Sequence, residues 1–332
     1  MDKVVVQSED LKAKIRRFSV IIPLFNKGLY IERALRSVLN QSRADYEIVV
    51  VDDRSEDDGL ARARKVLCDS GVAFRLIARS RRGGSCAPPR ATGLRFSRGR
   101  YVAFLDADDE WYEGFLAEVD ELIQKFPNAE AYGVDRVLEA GGNMHPSAYA
   151  RKSGRDYLHT LDLEKYLDAR ARFGNPFRVQ GMVFLPQALD DIGGFRHAPR
   201  SSDIDLMFRF FLSGKTAAWS PRQALLIHRV PQSTIEGTPF QITRPWFYSI
   251  QEAIDRGITD DRLKPMLMRE IKNKKVMDIT AATSMRALDS RFLNSIRFCE
   301  SPALWLTILI LSKCPWLQRS LVAKKIRKLW YR

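Results

Sequence analysis

The chain lacks any run of roughly 18 apolar residues, the length a helix needs to cross a bilayer, so no spanning segment is expected. Residues 1–17 mix acids and bases around no apolar block, which argues against a secretory leader. Cysteine is sparse: Cys68, Cys86, Cys299 and Cys314. None forms a CxxC pair and no Cys/His cluster has zinc spacing, so reduced thiols in a cytosolic protein are expected. Internal repeats and low-complexity segments are absent, as are helix-turn-helix, zinc and RNA-binding patterns, and no nucleic-acid partner is expected. Acids are absent after Glu300, while Lys313, Arg319, Lys324, Lys325, Arg327, Lys328 and Arg332 follow it.

What is present is ordinary for a globular protein with a large core: 332 residues, 45% hydrophobic and 28% charged. The formal charge of +14 by itself favours polyanionic partners: nucleic acid, an anionic membrane surface or phosphorylated substrates. Phe18–Leu24, Tyr46–Val51, Phe74–Ala78 and Tyr101–Leu105 read as buried strands. Helical spacing falls between them, over Lys27–Leu39, from a Ser55/Asp58 capping box to about Cys68, and over Arg90–Ser97. Strands alternating with helices imply an α/β fold around a parallel, doubly wound sheet. Residues 1–17 read as partly helical or loose. After Trp111 come a helix over Phe115–Phe126, a hairpin over Ala129–Met144 and a strand at Met182–Leu185. Then follow a turn at Gly193-Gly194, a helix over Asp205–Ser213, and short strands at Ala217–Trp219 and Ala224–His228. The chain from Pro245 to Cys299 reads as mostly helical.

The densest chemical signal is Tyr101-Val-Ala-Phe-Leu running into Asp106-Ala-Asp108-Asp109. Strand ends of an open α/β sheet face ligands. Crowding carboxylates there is costly unless a cation sits among them. Oxygen ligands suit Mg²⁺ or Mn²⁺, ions that commonly arrive with substrate phosphates. A second pair, Asp52-Asp53, ends the second strand.

Four motifs occur in order: Pro23-Leu-Phe-Asn26, Val51-Asp-Asp-Arg-Ser55, Asp106-Ala-Asp-Asp109, and Gly193-Gly-Phe195 leading into Ser202-Asp-Ile-Asp-Leu206. Together they resemble family 2 glycosyltransferases of the GT-A fold over residues 18–235. The resemblance implies a Rossmann-like, mostly parallel central sheet flanked by helices, with a nucleotide-binding half over 18–110 and an acceptor-binding half over 111–235. The residues beyond it read as a helical C-terminal extension over 236–300.

The same resemblance implies roles. Asp53, with Asp52 beside it, reads the nucleobase; Pro23, Phe25 and Asn26 line the nucleoside pocket. Asp106 faces the ribose or sugar, and Asp108, or Asp109 next to it, holds Mn²⁺ or Mg²⁺ on the diphosphate. Arg90 lies near the diphosphate, and His228 touches the metal or diphosphate. The family's Glu-Asp pair reads Ser202-Asp203 here, so Asp203 inherits the role of base, with Asp205 as the alternative. Trp111 either stacks on a sugar ring or belongs to the core, and Gly193 and Gly194 shape the acceptor side. Arg54 stands where the family has glycine, which implies a different turn. The implied activity is inverting, metal-dependent transfer from a nucleotide-diphosphate sugar, with UDP the expected nucleotide, to a glycan or lipid-linked acceptor in surface polysaccharide assembly. The alternative is an inactive relative serving as a membrane-associated binding protein. The tail, 301–332, joins the apolar block Ala303–Leu311 to the basic cluster and resembles an interfacial helix, so peripheral contact with an anionic inner membrane face is expected.

Overall fold

The computed structural model describes residues 2–8, 15–149, 158–197, 201–230, 245–257 and 259–271. The Val4–Val6 run, bounded by Lys3 and Gln7, forms an edge strand, β1 (Lys3–Gln7), where loose or helical chain was expected. Its β-branched residues suit a pleated surface better than a helix. Next come β2 (Phe18–Leu24), α1 (Gly28–Leu39), β3 (Tyr46–Asp52), α2 (Gly59–Cys68), β4 (Ala73–Ala78), α3 (Ala87–Phe96) and β5 (Tyr101–Phe104). Every residue of β2 and β3 is buried, as helices on both faces require.

A short strand, β6 (Glu110–Trp111), and a helix, α4 (Phe115–Lys125), follow the acids. The expected hairpin is β7 (Ala131–Ala140) and β8 (Asn143–Pro146), joined by Gly141 and Gly142 at positive φ. The chain continues through β9 (His159–Leu161), α5 (Leu163–Phe173), β10 (Met182–Phe184), α6 (Pro186–Asp191), α7 (Ser202–Leu212) and β11 (Ala217–His228). The two short strands expected at the end of this stretch are one strand, β11, irregular between Ser220 and Leu225 around Pro221.

These strands form one sheet in the order β1-β4-β3-β2-β5-β10-β7-β11-β6, with β8 on β7 and β9 on β11. Pairs β4-β3, β3-β2, β2-β5 and β7-β11 are parallel, whereas β10 runs antiparallel to both β5 and β7. From β2 the chain winds outward through β3 and β4, then crosses back to place β5 on the other side of β2. The carboxyl ends of β2, β3 and β5 therefore open at a switch point, where a doubly wound sheet leaves a crevice. Beneath it, Ile31, Ala34, Leu35 and Val38 of α1 join Val20, Ile22, Ile48 and Val50 in the core.

The chain divides into two compact units, Met1–Gly237 and Thr238–Arg332. In the second, the described residues form α8 (Pro245–Asp255) and a helix over 264–271. The tail 301–332, Cys299 and Cys314 lie outside the described residues.

Candidate active site

Two loops are knitted together at the ends of β2 and β3. The Asn26 N–H donates to Ser55 Oγ at 3.1 Å, and Asn26 Oδ1 accepts the Glu56 N–H at 2.8 Å. Asp52 accepts the Ser55 N–H at 3.2 Å. The Ser55 hydroxyl is thus spent on the neighbouring loop, and the expected capping box does not form: α2 starts at Gly59 with no side-chain cap from Asp58. Arg54 adopts φ 65°, the left-handed geometry glycine takes readily, which costs an arginine about 1–2 kcal/mol. Pro23 is buried, and Phe25 is half-buried with Arg82 over its ring at 4.1 Å.

Asp53 is buried and accepts the Gly83 N–H at 2.9 Å and the Arg79 guanidinium. Burial pushes its carboxyl above the ordinary aspartate value, against the opposing pull of Gly83 and Arg79. The carboxylate expected to read the base is therefore held rigidly by the loop after β4.

Beyond β5 the three acids separate by environment. Asp106 is clamped between Arg90 Nη2 and Gln180 Nε2, each at 2.5 Å. Arg90 is buried; burial alone would lower its pKa, but Asp106, Cys86 and Asp203 outweigh it and hold the guanidinium protonated beyond the ordinary arginine value. Asp108 Oδ2 meets Lys27 Nζ at 2.7 Å, and its backbone carbonyl accepts Arg33 Nη2 at 2.7 Å. Asp109 is 3% exposed and takes the His228 N–H at 3.1 Å. Burial, then repulsion from Asp106 and Asp108, pushes its carboxyl well above the ordinary range. Of this pair Asp108 is the better metal ligand, because Asp109 faces inward. Mg²⁺ and Mn²⁺ need only one or two protein carboxylates beside phosphate oxygens and waters, so Asp108 suits such an ion although no group of three acids, histidines or cysteines converges among the described residues.

Three expectations change against this geometry, and for Trp111 one of the two open readings is taken. The His228 imidazole is bracketed by Glu110 Oε1 at 2.6 Å and Glu139 Oε2 at 3.4 Å, so its nitrogens are directed to these acids and not to Asp108. Trp111 is 3% exposed, stacks on Phe115 at 3.9 Å and donates Nε1–H to the Gln180 carbonyl at 2.8 Å. It is a core residue, not an open sugar platform, because the β6–β11 pairing turns it inward. Asp205 is fully buried and pairs with Arg209 Nε at 2.9 Å, which removes it from any acceptor hydroxyl. Finally, α7 begins at Ser202, earlier than expected, after Ser201 at φ 64°.

Asp203 remains the half-exposed carboxylate of that first turn, and its charge is felt at both Arg90 and Cys86. Gly193 and Gly194 take φ 74° and 60°, and Arg209 Nη2 grips the Gly194 carbonyl at 2.8 Å. Asp205 thereby props, through Arg209, the turn that carries Phe195 onto Phe104 and under Arg90. Lys27, Arg79, Gln180 and Arg209 carry no motif in the sequence. Lys27 adjoins Pro23–Asn26, which was its one available signal; Arg79 lies at the start of a strand-end loop, Arg209 inside a helix, and Gln180 in a stretch with no pattern of its own.

A family model described as glycosyl transferase family 2 matches residues 19–191, and the chain belongs to this family. It is 38% identical over 120 residues to the UDP-Glc:alpha-D-GlcNAc-diphosphoundecaprenol beta-1,3-glucosyltransferase WfgD of Escherichia coli, covering 36% of this chain and 46% of WfgD. Other curated relatives are matched over 32%, 61% and 31% of their own lengths. Among solved structures, residues 1–349 of Staphylococcus aureus TarS with UDP-GlcNAc superpose at TM-score 0.63 and 17% identity, covering 88% of this chain and 79% of that one. The mannosyltransferase PcManGT of Pyrobaculum calidifontis, in complex with GDP-Man and Mn²⁺, superposes at 0.57 and 19% identity, covering 96% and 89%. These structures share the GT-A fold with this chain.

Proposed function

We propose that the chain is an inverting, metal-dependent glycosyltransferase that moves a sugar from a nucleotide-diphosphate donor, a UDP-sugar first, to a glycan or lipid-linked glycan in surface polysaccharide synthesis. The observation that carries this reading is that Asp53 follows the carboxyl end of β3, and Asp106 and Asp108 that of β5, the two strands flanking β2 at the switch point of the sheet. Relatives supply the choice of class: WfgD is named for a UDP-Glc donor and a diphosphoundecaprenol acceptor, TarS holds UDP-GlcNAc, and PcManGT holds Mn²⁺.

In this reading Asp53 accepts from the N–H edge of the base, and Pro23, Phe25 and Asn26 flank the nucleoside. Asp106, immobilised by Arg90 and Gln180, orients the ribose or sugar hydroxyls. Asp108 would hold Mn²⁺ or Mg²⁺, which would supply Lewis-acid stabilisation to the departing diphosphate. Asp203 takes the proton from the acceptor hydroxyl on the face opposite the leaving group. His228 acts behind the site, fixing Glu110 and Asp109, and Gly193-Gly194 borders the acceptor side. The chain acts at the inner face of a membrane, brought there by its basic tail.

A donor screen tests the reading. The protein is incubated with Mn²⁺ or Mg²⁺ and a panel of nucleotide sugars, and released UDP, GDP or dTDP is followed. Metal-dependent release from one donor, lost in Asp108→Ala, is expected. Absence of release together with absence of any thermal shift by the panel would instead support the non-catalytic reading.

A further inference from the structure

Among the described residues that the family motifs do not explain, Lys27 is the one that meets the Asp108 carboxylate. It caps the entrance to α1 without belonging to it. Its carbonyl accepts the Tyr30 and Ile31 N–H groups at 2.9 and 3.0 Å, and the next residue, Gly28, donates its N–H to Asp57 Oδ2 at 2.7 Å. A Cβ at Gly28 would lie 2.6 Å from Asp58 Oδ1 and 3.1 Å from the Gly59 nitrogen, so a substitute there would displace the Asp58 side chain and crowd the Gly59 backbone. The backbone on both sides of Lys27 is thus fixed, and the side chain is only 8% exposed where it meets Asp108 at 2.7 Å. The other carboxylates nearby are already engaged: Asp106 by Arg90 and Gln180, Glu110 by Arg33 and His228, Asp109 by the His228 N–H.

A divalent ion on Asp108 must therefore share that carboxylate with an ammonium, or displace it. Like charges a few ångströms apart in a half-buried site repel strongly, and the surrounding protein screens them poorly. A diphosphate reverses this balance, because its negative charge attracts the ion and the ammonium alike. We propose that Lys27 makes divalent-ion binding depend on the donor: its ammonium occupies Asp108 in the donor-free protein and turns to the diphosphate when donor and metal enter together. This rests on the metal reading of Asp108 above. By linkage, the donor tightens the metal by the same factor as the metal tightens the donor.

The test is Mn²⁺ binding to the full chain, followed by electron paramagnetic resonance of the free ion, with and without UDP. Lys27→Met removes the charge while keeping much of the length, and Lys27→Arg keeps the charge. Without UDP, Lys27→Met is expected to bind Mn²⁺ at least tenfold more tightly than wild type, Lys27→Arg to match wild type, and Lys27→Met/Asp108→Asn to lose the gain. With UDP the advantage of Lys27→Met should shrink or reverse. Should Lys27→Met melt early, Lys27→Gln carries the same expectation. Equal Mn²⁺ affinity in wild type and the charge-removing variant, with Asp108→Asn still abolishing the Mn²⁺–UDP complex, overturns the role of Lys27 and leaves the metal reading standing. An Mn²⁺–UDP complex untouched by Asp108→Asn overturns both.

Discussion

At the scale of single residues, the proposed assignment of acceptor activation to Asp203 rests on what separates it from Asp205. They sit two positions apart in the first turn of α7, where the helix dipole favours both as carboxylates. Only burial separates them: Asp205 is sealed against Arg209, while Asp203 stays half-exposed and close enough to act on Arg90. Asp203→Asn is therefore expected to lower kcat by about 10²–10⁴, the usual worth of a positioned general base, with stability changed by less than about 0.5 kcal/mol. Arg209→Met should do the reverse to stability: stranding the buried Asp205 costs about 3–5 kcal/mol, read as a lower urea midpoint. Urea curves and turnover measured on both variants check the pair; a stability loss in Asp203→Asn with normal turnover would return the base role to another group. The acids themselves were legible in the sequence, because an apolar run ending in carboxylates shows in linear order. Their partners were not, since Gln180 reaches Asp106 across 74 positions and nothing local in Gln180 announces it.

Among the elements, legibility followed burial. Interior strands such as β2 and β3 announce themselves because both faces are covered and every residue is apolar or paired. Edges did not: β1 alternates weakly, and β6 is two residues whose strand state depends on β11. The start of α3 was placed late because Pro88 and Pro89 read as loop, although proline suits a first helical turn, where no N–H partner is needed. This helix also offers a test. Gly93 packs directly on β2, and a Cβ there would lie 2.4 Å from Ile21 Cγ2 and 3.3 Å from Val51 Cγ2. On helix propensity alone Gly93→Ala should stabilise by about 1 kcal/mol. Overpacking opposes this and costs about 1–3 kcal/mol, so the net expectation is destabilisation. Arg90 stands three residues earlier on the same helix, so lifting α3 from the sheet also loosens the Asp106 clamp. Thermal melting and UDP-sugar affinity should fall together in Gly93→Ala; a raised melting temperature would show that α3 tolerates the methyl group.

For the whole molecule, charge is distributed in a way that the catalytic unit does not need. Residues 301–332 carry seven basic side chains and no acid, half of the net +14, beside the apolar run Ala303–Leu311. No helix among the described residues is long and apolar enough to cross a membrane, and the membrane contact proposed above is assigned to this tail. Basic residues near an anionic leaflet contribute about 1 kcal/mol each, screened by salt, and a short apolar block adds its own burial in the interface. Neither term is strong alone, and the proposed reversible attachment rests on the two acting together. The full chain is therefore expected to sediment with vesicles containing anionic lipid, to do so less in high salt, and to ignore purely zwitterionic vesicles. Deleting 301–332 should abolish sedimentation while donor hydrolysis persists, because the acids at the switch point lie in the first compact unit. Sedimentation that survives the deletion would move membrane contact to the catalytic unit. A truncated protein that neither sediments nor hydrolyses donor would instead tie the tail to the integrity of the enzyme, as a packed helix would, and the lipid-linked acceptor would then have to be reached without it.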